Sequence, residues 1–176
     1  MTNSIDVQAQ EAANKPQKIL VAYFSWSGNT TRIANVIRQQ TGGDIFEIVP
    51  QTPYPKDYNE CLDVARKEKK EQARPPLKAK VENMEQYEVV FVGYPNWWSS
   101  IPMPVATFME AYDFKGKIIV PFCSHGGGGL AQTVTDLKKL CPNVPFVKPI
   151  AIAGNGRNSL SSDIKKWLQE TGIVKQ

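Results

Sequence analysis

The residues with the most chemical potential stand between an apolar run and a helical pattern. Ser25, Ser27, Asn29, Thr30 and Thr31 surround Gly28, directly after Ile19-Leu20-Val21-Ala22-Tyr23-Phe24. Ile33, Ala34, Val36 and Ile37 follow with the spacing of one helix face. Hydroxyls, an amide and a glycine, with no carboxylate, therefore crowd a point where a strand becomes a helix. Unpaired N–H groups and the positive end of the helix dipole make such a point a place for an anion, above all a phosphate. An ordinary N-cap needs one such side chain. Five of them in seven residues read as an anion cradle.

Two further loops carry unusual chemistry. Tyr94-Pro95-Asn96-Trp97-Trp98-Ser99-Ser100-Ile101-Pro102 sets two adjacent indoles in a polar segment bounded by prolines. One indole can pack over the core. The pair suggests a wall for a planar partner, where stacking adds about 0.5–1.5 kcal/mol beyond area burial. Which of the two faces that partner is open at this stage. Cys123-Ser124-His125-Gly126-Gly127-Gly128-Gly129 ends in a run of four glycines. Such a run is costly in chain entropy and suits a backbone that approaches a ligand closely. No Lys-Ser or Lys-Thr pair follows the glycines, so this is no ATP-type phosphate loop. The first junction also lacks the G-x-G-x-x-G fingerprint of a dinucleotide site. A phosphate cradle, an aromatic wall and a glycine rim describe a phosphorylated planar mononucleotide. Cys123 reads as inert packing at the end of a buried strand, and no catalytic residue is nominated.

The elements that must position these loops alternate. Strands are expected over 19–24, 44–49, 88–93, 117–122 and 146–152, the last weakened by Pro149. The first helix is expected to stop at Gly42-Gly43, and others over 59–72, 102–112, 130–140 and 163–170. Arg74-Pro75-Pro76 is expected to end the second of them. Such alternation implies a parallel sheet covered on both faces, with ligands beyond the carboxyl ends of the strands. All three unusual loops follow strands.

A chain of 176 residues, 41% apolar and 22% charged, fits a single soluble domain. No apolar run approaches the length of a membrane span, so no membrane insertion is expected. Residues 1–17 are polar, lack the apolar centre of a secretory signal and read as a loose tail before a domain over 18–176. Cys61, Cys123 and Cys141 form no CxxC pair, and with a single histidine in the chain no zinc or iron–sulfur site is expected. Reduced thiols imply a cytoplasmic location. The net charge is +4, with Lys67, Lys69, Lys70, Arg74 and Lys78 close together but interrupted by Glu68 and Glu71. That stretch reads as a solvated helix face, and no aromatic residue interleaves it as a nucleic-acid surface requires.

With these loops in this order, the chain resembles the flavodoxin family, in its flavodoxin-like branch with a Tyr-Pro-x-Trp-Trp loop. Ser25-Trp26-Ser27-Gly28-Asn29-Thr30 matches the hydroxyl-x-hydroxyl-Gly-x-Thr phosphate signature. The likeness runs from Lys18 to Val174, and Pro53-Tyr54-Pro55, Arg74-Pro75 and Tyr112-Asp113-Phe114 look like branch features. The resemblance implies an α/β three-layer sandwich with a five-stranded parallel sheet of order 2-1-3-4-5. It implies FMN, bound without covalent attachment. Ser25, Ser27, Gly28, Asn29, Thr30 and Thr31 would hold its phosphate. Pro95, Asn96, Trp97 and Trp98 would lie against the isoalloxazine, and Ser124, His125, Gly126 and Gly127 would border its pyrimidine side. The chain departs from acidic flavodoxins in being basic, and in carrying His125 where many relatives have Thr or Ser. A protonated imidazole there would stabilise negative charge on a reduced flavin. The leading expectation is an electron carrier that works with a redox partner protein or a small-molecule acceptor. The alternatives are an FMN-dependent NAD(P)H:quinone-type reductase and a cofactor-free interaction scaffold.

Overall fold

A computed structural model describes residues 17–174. The polar tail expected over 1–17 lies, except for Gln17, outside the described residues. Five strands alternate with five helices in the order β1 (Ile19–Tyr23), α1 (Asn29–Thr41), β2 (Asp44–Glu47), α2 (Tyr58–Glu71), β3 (Val89–Pro95), α3 (Met103–Glu110), β4 (Ile118–His125), α4 (Thr133–Leu140), β5 (Ile150–Ala153) and α5 (Leu160–Thr171). The strands form one parallel sheet of order β2-β1-β3-β4-β5, as the resemblance implied.

The inner strands β1, β3 and β4 are buried on both faces, which is why they read as apolar runs. Successive side chains point to opposite faces. Leu20, Ala22, Val90, Val92, Tyr94 and Ile119 pack with Val105, Phe108 and Met109 of α3 and Leu137 of α4. Val21, Tyr23, Val89, Phe91, Val120 and Phe122 pack with Ile33, Ala34 and Ile37 of α1 and Ile164, Trp167 and Leu168 of α5. Gly93 is needed inside β3, because a Cβ there would stand 2.0 Å from the Phe122 ring of the neighbouring strand.

Several element ends differ from expectation, each for a local reason. Strand β4 runs on to His125, because Cys123, Ser124 and His125 pair with Ala151, Ile152 and Ala153 of β5. Strand β3 likewise continues to Pro95, opposite Ser124. Ser124 and His125 are therefore strand-terminal residues and not loop residues. Strand β5 keeps only Ile150–Ala153, and Phe146 makes a single bridge to Ile119 on the far side of Pro149. Helix α1 stops as expected at Gly42, whose φ of 72° lets its N–H return to the Arg38 carbonyl at 2.8 Å. Helix α2 ends at the left-handed Gln72, φ 50°, ahead of the prolines expected to stop it. Helix α4 starts three residues late, because Ala131 has φ 44° and the Thr133 hydroxyl donates to the Leu130 carbonyl at 2.6 Å. Helix α5 starts early, at Leu160, continuing a 3₁₀ turn over Arg157–Ser159.

Gly93→Ala forces a methyl into the Phe122 ring. It is expected to lower stability by about 1–3 kcal/mol, the usual cost of overpacking. Urea unfolding followed by circular dichroism measures this as a lower midpoint at unchanged slope.

Candidate functional site

The crossover helices run back antiparallel to the strands, so each β-to-α junction lands on the same edge of the sheet. At the first junction Gly28 caps α1 with φ 93°, a conformation that favours glycine. The Ser25 hydroxyl accepts the Gly28 N–H at 3.1 Å and folds the loop back on itself. The helix has no side-chain cap and no acidic residue in its first turn. The first intrahelical bond runs from the Arg32 N–H to the Gly28 carbonyl at 3.1 Å. The amides of Asn29, Thr30 and Thr31 therefore lack an acceptor within the helix. Ser27 and Gly28 are exposed, and Asn29 and Thr31 are half-buried. Thr30 is different: it is buried, and its hydroxyl shares a 2.8 Å hydrogen bond with that of buried Ser124. That bond joins the first junction to the end of β4.

At the second junction the Asn96 N–H donates to the Ser124 carbonyl, and its side-chain amide donates to the Gly129 carbonyl, both at 2.8 Å. Trp97 and Ser100 exchange backbone hydrogen bonds of 3.0 Å in both directions. The two residues between them, Trp98 (φ 53°) and Ser99 (φ 63°), both take left-handed backbone. Side chains other than glycine pay roughly 1–2 kcal/mol each for that conformation. The turn is held from two sides. From α4, the Ser100 hydroxyl donates to Asp136 at 2.5 Å, and just before that helix the Gln132 N–H donates to the Ser99 carbonyl at 3.0 Å. From α2, Lys69 donates to the Trp98 carbonyl at 2.5 Å, and the Leu62 carbonyl accepts the Trp98 indole N–H at 3.0 Å.

The two tryptophans therefore part company. Trp97 turns inward, edge-on to Phe24 at 5.2 Å and to Tyr54 at 5.0 Å. Trp98 lies out along α2, 41% exposed, with the Arg66 guanidinium 5.5 Å above its ring.

At the third junction Ser124 is buried, His125 is half-buried and Gly126, Gly127 and Gly128 are exposed. The Gly127 N–H donates to His125 Nδ1 at 3.0 Å, so a protonated imidazole would have to give up that bond. A Cβ built at Gly28, Gly126 or Gly127 meets nothing within 4 Å, so each glycine borders open space at this edge. Burial pushes the Cys123 thiol up to about 12, which leaves it protonated and unreactive at neutral pH.

The structure brings Ser25, Ser27, Gly28, Asn29, Thr30, Thr31, Pro95, Asn96, Trp97, Trp98, Ser124, His125, Gly126 and Gly127 to one edge of the sheet. It adds residues that sequence reasoning passed over. Trp26 donates its indole N–H to the Pro55 carbonyl at 3.0 Å and sits 6.2 Å from the Tyr58 ring. The loop after β5 joins the site too, because Arg32 donates to the Arg157 carbonyl at 2.8 Å and to the Asn155 side chain at 3.3 Å. A cleft of about 670 Å³ lies between that loop and His125, Gly126, Gly127 and Asn29. Gly154 and Gly156, placed just after a strand, were the signal that could have marked this fourth loop. A second cavity, of about 650 Å³, lies at the opposite edge among Tyr112, Phe114, Leu140 and Val144. Among the described residues no helix is long and apolar enough to cross a membrane, and no acidic, Cys and His cluster could hold a metal ion.

A family model described as Flavodoxin matches residues 18–171. The chain belongs to the flavodoxin family. Among solved structures, this flavodoxin-family chain is similar to a protein from Bacteroides eggerthii DSM 20697, provisionally described as a flavoprotein. The two are 37% identical with a TM-score of 0.79, over 90% of this chain and 99% of that one. A second protein so described, from Bacteroides uniformis ATCC 8492, is 30% identical with a TM-score of 0.74, over 86% and 99%. A flavoprotein from Lactobacillus acidophilus NCFM, solved in complex with FMN, shares the fold at 19% identity and a TM-score of 0.67, over 86% and 98%. None of the curated proteins searched matches this chain.

The separate settings of the two indoles set different costs. Trp97→Ala opens a hole beside Phe24 and Tyr54 and is expected to cost about 3 kcal/mol or more. Trp98→Ala removes a ring that is 41% exposed, together with its hydrogen bond to the Leu62 carbonyl, and is expected to cost less, about 1–2 kcal/mol. Paired urea titrations of the two variants measure the difference.

Proposed function

We propose that this edge binds FMN without a covalent link and that the protein carries electrons through it. The observation that carries the reading is the α1 N-terminus, capped by Gly28 with no side chain or carboxylate competing for its amides. Such a terminus is made for a phosphate. The rest of the edge suits a flat ring, with exposed glycines on one side and a turn rich in indole on the other.

Each residue then has a task. Ser25 holds the loop in shape, while Ser27, Asn29, Thr31 and the α1 amides donate to the phosphate. Thr30 receives help from Ser124: when the Ser124 hydroxyl donates to Thr30, the Thr30 proton is free to point at an anion. Asn96, Trp97 and Trp98 line the ring on the β3 side, and Ser124, His125, Gly126 and Gly127 line it on the β4 side. When bound, FMN supplies one- and two-electron chemistry, and the chain's part is to hold the ring and keep one edge open to a partner. The flavodoxin family and the FMN complex of the Lactobacillus acidophilus protein support this reading.

The cleft after β5 favours a second reading, a reductase acting on a small molecule. Its volume of about 670 Å³ is that of a small-ligand site, and it shares His125, Gly126 and Gly127 with the flavin edge. Steady NAD(P)H oxidation by the purified FMN-loaded protein with a quinone would favour the reductase. Reduction only in the presence of a separate reductase would favour the carrier.

Titration of FMN into flavin-free protein is expected to quench flavin fluorescence stoichiometrically and to shift the flavin absorption bands. A protein that takes up no FMN would leave the interaction scaffold. Ser27→Asp gives the sharper test, because it moves two measurements in opposite directions. A carboxylate at the start of α1 stabilises the helix by about 0.3–1 kcal/mol and repels a phosphate placed there. FMN affinity is expected to fall by about tenfold or more, a change of ~1.4 kcal/mol. Riboflavin affinity is expected to stay level and the urea midpoint to hold or rise. Equal weakening of FMN and riboflavin would place the phosphate elsewhere.

A further inference from the structure

We propose that Tyr54, with Glu68 as its proton acceptor, is a redox-active tyrosine that draws an oxidising equivalent off Trp97. The Tyr54 ring stands edge-on to Trp97, centroids 5.0 Å apart at 85°, and edge-on to Phe24 at 5.7 Å. Its hydroxyl donates to Glu68 Oε2 at 2.6 Å. A phenol gives up an electron readily only when its proton has somewhere to go, since the oxidised phenol is a far stronger acid. Here the acceptor is already in hydrogen-bond contact. Burial raises the Glu68 carboxyl above the usual range, which makes its ionised form a better base than an exposed carboxylate. Burial also raises the neighbouring Cys61 thiol, so it stays neutral beside the pair.

No other tyrosine combines these contacts among the described residues. Tyr87 donates to Asp44 at 2.7 Å but touches no indole. Tyr58 sits 6.2 Å from Trp26, 62% exposed, with no carboxylate taking its proton. Tyr94 is fully buried and its hydroxyl has no partner.

The step balances as follows. A strong one-electron oxidant, either an oxyl radical such as the carbonate radical anion, which becomes carbonate, or a ruthenium(III) polypyridyl complex, which becomes ruthenium(II), takes an electron from Trp97 and leaves an indole radical cation. Trp97 takes an electron from Tyr54. The Tyr54 O–H bond breaks and its proton forms a new O–H bond on Glu68. The products are the reduced oxidant, neutral Trp97, a neutral Tyr54 radical and a protonated Glu68. The pair thus moves damage away from the Trp97 face and holds it in a half-buried position. The proposal does not depend on the flavin assignment, since any oxidant of this class that reaches Trp97 starts the sequence.

Flash photolysis with ruthenium tris-bipyridine and persulfate supplies that oxidant to the full chain without flavin. The experiment is run in a Tyr58→Phe background, which removes the most exposed phenol. Transient absorption and freeze-quenched electron paramagnetic resonance then report which ring holds the radical. The parent is expected to give a tyrosyl signal that forms more slowly in heavy water, and adding Tyr87→Phe should leave it unchanged. Adding Tyr54→Phe, which keeps the ring, should replace it with a tryptophan radical. Adding Glu68→Gln should slow tyrosyl formation by roughly 10²-fold, the ordinary worth of a positioned proton acceptor. A tyrosyl signal that survives Tyr54→Phe, or one that forms at the parent rate with Glu68→Gln, would overturn the proposal. Circular dichroism on each variant separates these outcomes from loss of fold.

Discussion

Parallel strand pairing is the constraint on which everything else in this molecule rests. Parallel neighbours need a long crossover, and the crossover here is always a helix. Each helix must run back across a face of the sheet, so each must start at the same edge. All the uncapped amides, strained turns and glycines of the chain's unusual loops are brought together by that one rule. Burial of β1, β3 and β4 on both faces keeps the edge rigid beneath them.

The loops at this edge are not independent. Thr30 reaches Ser124 through a hydroxyl pair, Ser124 reaches Asn96 through its carbonyl, and Asn96 reaches Gly129 through its side chain. Three junctions distant in sequence are thus tied by a short chain of hydrogen bonds, mostly out of water. In such surroundings each bond is stronger than at the surface, and each unpaired group would be more costly. The left-handed turn at Trp98 and Ser99 belongs to the same economy of strain. Its cost is offset by anchors from α2 and from the start of α4.

The number and alternation of the elements were legible because they depend on short-range pattern, whereas the order of the strands came only from the family resemblance. Apolar runs of strand length separated by helical periodicity leave few parallel arrangements. Element ends were less legible. Local pattern ends β4 at Phe122, because Ser124, His125 and the glycines after them look like loop chemistry, yet pairing with β5 carries the strand to His125. Arg74-Pro75-Pro76 marks a stop for α2, whereas a left-handed Gln72 ends the helix first. For β4 the deciding partner, β5, lies outside the window that local pattern reads; for α2 the stop is local, with the Gln72 N–H returning to the Glu68 and Lys69 carbonyls, but a left-handed residue other than glycine leaves no mark in residue type.

The sequence by itself determined that a hydroxyl-rich junction, an indole pair and a glycine run each follow a strand, because residue type and spacing are written locally. From that alone came the anion cradle, the parallel sheet and the family likeness. Only the tertiary structure decided that Trp97 packs inward while Trp98 lies on α2, that Thr30 spends a hydrogen bond on Ser124, and that Tyr54 meets both Trp97 and Glu68. Adjacent residues of one type carry no local signal of which turns inward. That choice belongs to the neighbours the fold delivers, through close packing and the need to pair buried polar atoms.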